Sequence, residues 1–128
     1  MNAWKLNLIT AEALWLPVKS DTPPASFPKR KARLMYECPG TGKQLEWNPM
    51  KDAEQAMRLI MHFNLRLAYC AEGSPAIRYV SAHQEWQEDS CTWEWQYIPV
   101  RPENPTEALR EAVCRAVAYL HQSAHTQP

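Results

Sequence analysis

The order of apolar and polar residues predicts several short strands and two longer amphipathic helices. At the start of the chain, Trp4, Leu6 and Leu8 alternate with polar neighbours, which predicts a half-buried strand. Residues 10–16 fit either a short helix or a returning strand. Residues 17–28 contain four prolines, and because proline cannot donate a ladder hydrogen bond, they predict a long loop.

Four later segments also alternate and predict strands. They span residues 31–38, 65–70, 77–82 and 91–97. The last has large rings on one side, from Trp93, Trp95 and Tyr97. We expect these rings to pack beneath the helices, with stacking against nucleic-acid bases as the alternative.

The two helical stripes each follow an Asn-Pro pair, at residues 48–49 and 104–105. The first stripe consists of Ala53, Ala56, Met57, Ile60 and Phe63, and Asn64 is its expected end. Asparagine is a good helix cap and proline suits the first helical position. The pairs therefore predict helices near 49–63 and 105–121, although Asp52 followed by Gln55 would also serve as a capping box for a later start of the first helix. Beyond Leu120 the stripe is lost, which predicts a frayed tail.

These elements predict a single α+β domain over residues 1–128. We expect a mainly antiparallel sheet of about four to six strands, covered by the two helices. The chain has 128 residues, 45% of them hydrophobic, which suits one core.

Charge is balanced over the whole chain but not along it. Lys plus Arg and Asp plus Glu both number 14, so no global field favours DNA or an anionic membrane. Residues 1–51 carry 8 basic and 4 acidic side chains, whereas residues 52–128 carry 6 and 10. This asymmetry suggests a surface with one positive and one negative region, which is suited to docking.

Cysteine usage and the chain start indicate the compartment. Cys38, Cys70, Cys91 and Cys114 occur singly, which favours reduced and mostly buried thiols over a zinc or redox motif. The first residues do not resemble a signal peptide, and no apolar run has the length of a membrane span. We therefore expect a cytoplasmic protein, with no membrane partner.

Two groups of residues resemble a known family. Trp47-Asn48-Pro49 with Asp52, Ala56 and Leu59 precedes a strand, and a later helix contains Pro105-Thr106-x-Ala108-Leu109-Arg110-x-Ala112. Residues 47–120 thereby resemble the small phage-encoded α-β-α sandwich domains, a group that includes the NinX-like proteins. The resemblance implies an intracellular phage or prophage accessory protein that is not an enzyme.

The first candidate binding site is a basic segment. Lys29, Arg30, Lys31 and Arg33 place four cations within five residues, which could neutralise phosphates or contact an acidic partner. A solvated strand edge that discourages strand pairing is the structural alternative.

The second candidate is an acidic connection that carries a tryptophan. Trp86 lies among Glu85, Glu88 and Asp89, without alternating neighbours to pack against. Tryptophan is enriched at interaction hot spots, so Trp86 either contacts a partner or packs over the sheet edge.

Three patterns suggest other chemistry and do not satisfy its requirements. Residues 39–43 resemble a phosphate loop but lack its first glycine, its Ser/Thr and its following helix, so they predict a turn. His121 and His125 have a metal-compatible spacing without an evident third ligand, so we expect no metal. Cys70, His83 and Asp89 have no local catalytic signature, and no cofactor is expected.

The sequence therefore favours a small phage- or prophage-derived binding protein that acts by protein–protein interaction. An inhibitor of a bacterial defence system such as CRISPR-Cas is the leading hypothesis. The alternative is a nucleic-acid-binding phage accessory protein that uses the basic segment at residues 29–33. A homodimer is compatible with an exposed strand edge or aromatic patch.

Overall fold

The computed structural model describes residues 2–21, 32–70, 79–84, 98–101 and 103–126. These residues form an α+β fold, which confirms the predicted class. The helices are α1 (Ala3–Ala13), α2 (Ala53–Phe63) and α3 (Pro105–Thr126). The strands are β1 (Lys19–Asp21), β2 (Arg33–Glu37), β3 (Gln44–Glu46), β4 (Leu65–Cys70), β5 (Tyr79–Gln84) and β6 (Ile98–Pro99).

The described strands are all antiparallel and divide into two sheets. The first has the order β1-β2-β3, and the second has the order β4-β5-β6. In the first sheet, Arg33 of β2 pairs with Asp21, and Tyr36 pairs with Leu45. The second sheet packs against α3, which also contacts α1 and α2. Helix α3 therefore joins the two parts of the core.

The predicted first strand is wrong, because residues 3–13 form helix α1. Asn2 caps this helix, and its side chain accepts a hydrogen bond from the Lys5 amide at 2.8 Å. The buried face of α1 mixes apolar and polar residues, namely Leu6, Asn7, Ile9, Thr10 and Ala11. Two polar members hide the helical period, so the alternation of Trp4, Leu6 and Leu8 was misleading.

Helix α2 begins at the later of the two predicted starts. Asp52 is its N-cap and accepts from the Gln55 amide at 3.2 Å, whereas Asn48 and Pro49 form a turn before it. Asn64, with φ of 55°, ends the helix as predicted.

The apolar stripe of α2 was predicted from Ala53, Ala56, Met57, Ile60 and Phe63. The buried residues are Ala56 and Leu59, and Ile60 and Phe63 pack partly against the core. Met57 lies outside the core and is 54% exposed.

Helix α3 begins at Pro105, directly after Asn104, as predicted. The side-chain Nδ2 of Asn104 donates to Glu107 Oε2 at 3.4 Å, so the Glu107 side chain contacts the residue that precedes the helix. The helix continues to Thr126, beyond the predicted end near residue 121. Its fully buried positions include Ala112, Val113, Cys114 and Val117.

The remaining sequence predictions agree in part with the structure. Strands β2, β4 and β5 correspond to three of the predicted segments, and residues 91–97 lie outside the described residues. Within the predicted loop, residues 19–21 form β1, and residues 22–28 are not described. The phosphate-loop-like segment is a turn between β2 and β3, closed by the Cys38 amide on the Lys43 carbonyl at 2.8 Å.

Candidate functional site

Seven of the eight residues predicted to bind a partner lie outside the described residues. They are Lys29, Arg30, Lys31, Glu85, Trp86, Glu88 and Asp89. The structure therefore places only Arg33 from the predicted set.

Arg33 lies in β2 and is paired with an acidic residue on the neighbouring strand. Its Nη2 donates to Asp21 Oδ2 at 2.7 Å, and the two side chains are 39% and 37% exposed. The pair follows from strand register, since Asp21 lies directly opposite Arg33. The Asp21 carboxylate therefore already compensates the Arg33 charge, which reduces its capacity to attract a phosphate.

Trp47 forms the centre of a buried polar network between α1 and the region after β3. The ring is 1% exposed, and its Nε1 donates to the Asn7 carbonyl at 3.0 Å and to Thr10 Oγ1 at 3.1 Å. The Thr10 hydroxyl donates in turn to the Asn7 carbonyl at 2.7 Å. These bonds satisfy the polar groups that α1 buries.

The network extends into the turn that precedes α2. Gln55 Oε1 accepts from the Asn48 amide at 2.6 Å, and Gln55 Nε2 donates to the Glu46 carbonyl at 2.7 Å. One side chain of α2 thereby fixes the chain on both sides of Trp47.

Arg110 connects the same turn to α3. Arg110 is 9% exposed, and its guanidinium donates to the Met50 carbonyl at 2.9 Å and to Thr106 Oγ1 at 2.6 Å. A buried guanidinium held by neutral oxygens is costly unless its donors are well placed. Arg110 therefore has a structural role in joining α3 to the turn.

A cleft of about 420 Å³ lies over this network. Its lining includes Asn2, Trp4, Arg33, Asn48 and Lys51. Asn2 caps α1, Arg33 pairs with Asp21, and Asn48 accepts from the Asn7 side chain at 2.9 Å. Much of the polar lining thus bonds to the protein itself, which favours a structural role for this cleft.

Two further residues, Cys114 and His121, are of types that can act as nucleophiles or metal ligands. Burial raises the pKa of the Cys114 thiol from 9.0 to about 12, with a smaller contribution from Glu111 in the same direction and an opposing one from Arg110. A buried thiol of this kind is a poor nucleophile. His121 Nε2 lies 3.8 Å from Glu12 Oε2, and the described residues contain no cluster of three metal-ligating side chains.

Trp15 is the most exposed of the large apolar side chains that the structure describes. Its side chain is 91% exposed, and its φ is 57°. The residue follows Leu14, the C-cap of α1, and the amides of Trp15 and Leu16 bond to the carbonyls of Glu12 at 3.0 Å and Ala11 at 2.9 Å. This pair of bonds is the Schellman motif, in which the residue with positive φ is usually glycine.

A second exposed apolar surface lies on α2 and the first sheet. Met57 is 54% exposed and Met61 is 78% exposed, and both line a shallow depression with Tyr36. Leu45 is 38% exposed and lies opposite Tyr36 in the antiparallel register, so these two side chains are neighbours on one sheet face. We call Tyr36, Leu45, Met57 and Met61 the methionine surface.

Two charged residues of α2 border the methionine surface. Glu54 and Arg58 line the same depression and have opposite charges. The Arg58 guanidinium lies 5.9 Å from the centre of the Trp47 ring, and the Tyr36 ring meets Trp47 edge-on at 6.0 Å. Trp47 therefore anchors the surface to the buried network beneath it.

Neither exposed apolar site was predicted from the sequence. The sequence pattern places Met57 in the buried stripe, and it places Trp15 in a segment that fits either a short helix or a strand. The available signal was the sequence Ala11-Glu12-Ala13-Leu14-Trp15-Leu16, where helix-forming residues precede Pro17. Proline shortly after a helix end would have marked Trp15 as a residue near the C-cap.

Comparison with known proteins gives no match to any family model, curated protein or solved structure. No helix among the described residues is long and apolar enough to cross a membrane.

Proposed function

We propose that this chain is a small phage- or prophage-derived protein that acts by binding another protein, and that its target belongs to a bacterial defence system such as CRISPR-Cas. The observation that carries the binding function is Trp15. The phage origin is what the resemblance to the small phage-encoded α-β-α sandwich domains implies. The choice of a defence-system target rests on that implied origin together with the small size of the chain and the charge difference between residues 1–51 and 52–128.

Trp15 supports binding because its backbone conformation, with positive φ, is unfavourable for any residue other than glycine. Positive φ brings the Cβ atom of an L residue close to its own backbone, which costs about 1 kcal/mol relative to glycine. A ring that is 91% exposed recovers little of that cost through packing within the chain. A tryptophan in this position is therefore better explained by contact with a partner, since tryptophan buries a large area at binding hot spots.

The residues that carry the family resemblance have structural roles. Trp47, Ala56, Leu59 and Ala112 are buried, and Asp52 caps α2. The resemblance thus concerns the scaffold, and the residues that contact a target lie elsewhere on the surface.

The test measures rescue of a phage that the host defence restricts. The chain is expressed in cells with an active CRISPR-Cas system, and the plating efficiency of a targeted phage is compared with that in cells without the system. Wild type should restore plating and copurify with the effector complex at fixed stoichiometry. Trp15→Gly should lose both properties while its unfolding free energy rises by about 1 kcal/mol.

Trp4→Ala is the matched control, because Trp4 lies near the start of α1, whereas Trp15 follows the end of this helix, and Trp4 is only 39% exposed. Rescue should survive this change. The proposed function is wrong if wild type neither restores plating nor binds a component of the defence system, or if Trp15→Gly keeps full activity.

The nucleic-acid-binding alternative has less support. Of its four cations, Lys29, Arg30, Lys31 and Arg33, the last is already paired with Asp21. A mobility shift with DNA or RNA that weakens steeply with salt would favour this alternative.

A further inference from the structure

We propose that the methionine surface is covered by a second copy of this chain, so that the protein is a symmetric dimer joined through α2. The surface consists of Tyr36, Leu45, Met57 and Met61. This inference does not depend on the proposed target.

The exposed stripe of α2 has the spacing of a helix–helix contact. Glu54, Met57, Arg58 and Met61 occur at i, i+3, i+4 and i+7, and all four are exposed. Residues with this spacing share one helix face. Methionine is flexible and polarizable, so it suits a contact in which side chains of two helices must interdigitate.

The order of charges along this stripe favours a second copy over an unrelated partner. In a dimer with a two-fold axis, each residue meets the symmetry-related surface, and two antiparallel helices bring the start of one helix beside the end of the other. With the axis between Met57 and Arg58, Glu54 of one copy lies opposite Met61 of the other. Along the helix axis, Glu54 of the first copy is then only about 4.5 Å from Arg58 of the second copy. The surface is thus self-complementary in charge.

Long-range electrostatics permit this association. The chain has 14 basic and 14 acidic residues and a formal net charge of zero. Two copies therefore approach without net repulsion, which in small proteins favours self-association.

The test measures the mass of the full chain in solution by sedimentation equilibrium over a range of concentrations. Wild type should form a dimer. Met57→Glu with Met61→Glu should raise the dissociation constant at least about tenfold, because each dimer would bury charges without partners. Thermal unfolding by far-UV circular dichroism shows whether the variant remains folded.

Charge reversal distinguishes a self-complementary contact from simple loss of apolar area. Glu54→Arg alone and Arg58→Glu alone should each weaken the dimer, because each change places like charges across the axis. The double variant Glu54→Arg with Arg58→Glu should restore it. Trp15→Gly should leave the dimer intact, which separates this inference from the proposed target interaction.

Four results would overturn the proposal. The first is a wild-type chain that stays monomeric at all concentrations. The second is a folded double-methionine variant that dimerises as tightly as wild type. The third is loss of the dimer on Trp15→Gly. The fourth is a double charge reversal that leaves the dimer as weak as the single reversals do.

Discussion

The side-chain amide of Asn7 donates to Oδ1 of Asn48 at 2.9 Å, joining α1 to a turn 41 residues later. The Asn7 Oδ1 also accepts from the Met50 amide at 3.3 Å. The main-chain carbonyl of Asn7 accepts from the Trp47 indole at 3.0 Å. Asn7 is 6% exposed. A single buried side chain therefore holds the turn in which the Asn-Pro pair lies, and its removal would leave polar groups unsatisfied away from water.

Asn7→Ala is expected to lower the free energy of unfolding by about 2 kcal/mol. The Met50 amide and the Asn48 carboxamide would both lose a buried partner. Urea denaturation measures the loss, and a double-mutant cycle with Asn48→Ala should give a coupling energy of about 1 kcal/mol. Asn2→Ala is the matched control, since it removes only the exposed cap of the same helix, which costs about 1 kcal/mol or less. Equal losses for the two single variants would show that the buried network contributes little.

Gln55→Glu is expected to destabilise the fold at neutral pH by about 2 kcal/mol, although the two side chains have nearly the same shape. A carboxylate can still accept from the Asn48 amide, but it cannot donate to the Glu46 carbonyl as Gln55 Nε2 does at 2.7 Å. Denaturation at neutral pH measures this loss. The variant should recover part of its stability in acid, where a protonated carboxyl can donate, and a pH-independent loss would contradict this explanation.

Helix α2 could be predicted in detail from the sequence, whereas α1 could not. The start of α2 follows from Asp52 and Gln55, whose capping interaction is local. In α1, Asn7 and Thr10 lie on the buried face because they bond to Trp47. Trp47 is distant in the sequence, so no local pattern reveals that these polar residues are core residues.

The exposed sites illustrate a second limit of the sequence. Met57 is apolar and at helical spacing from Ile60, so a stripe criterion places it in the core. Whether such a residue is covered depends on where the sheets lie, and here the second sheet and α3 pack on the opposite face with Leu59. The exposure of Trp15 is equally hidden in the sequence. Its backbone conformation is set by the end of α1, and the alternation of residues 4–8 predicts a strand in place of this helix.

Arg110→Met is expected to be better tolerated than Arg110→Lys. Arg110 spans from the Met50 carbonyl to Thr106 Oγ1 with two separate donors, and a lysine ammonium cannot occupy both positions. Lysine would keep a buried charge and lose a bond, costing about 2 kcal/mol, whereas methionine removes the charge and preserves most of the volume. Denaturation of both variants measures the difference, and a lysine variant as stable as wild type would refute the two-donor argument.

Burial of the Cys114 thiol is expected to make the fold less stable as the pH becomes alkaline. Burial is the main cause that raises the pKa of this thiol from 9.0 to about 12, so the folded protein retains a proton that the unfolded chain releases. A raised pKa in the folded state contributes stability that is fully present below the unfolded value. That contribution is lost as the pH rises through the interval from 9.0 to about 12.

The free energy of unfolding should therefore fall by up to about 1.4 kcal/mol for each pH unit within this interval because of this one thiol. Cys114→Ala should lower stability at about pH 8 through lost packing. It should also remove this component of the pH dependence, so the deficit of the variant relative to wild type should shrink as the pH rises. Urea denaturation of both proteins at about pH 8 and about pH 10 isolates the effect, because other titrating groups are common to both. If the difference between wild type and variant is the same at both pH values, the Cys114 thiol is not protected by the fold.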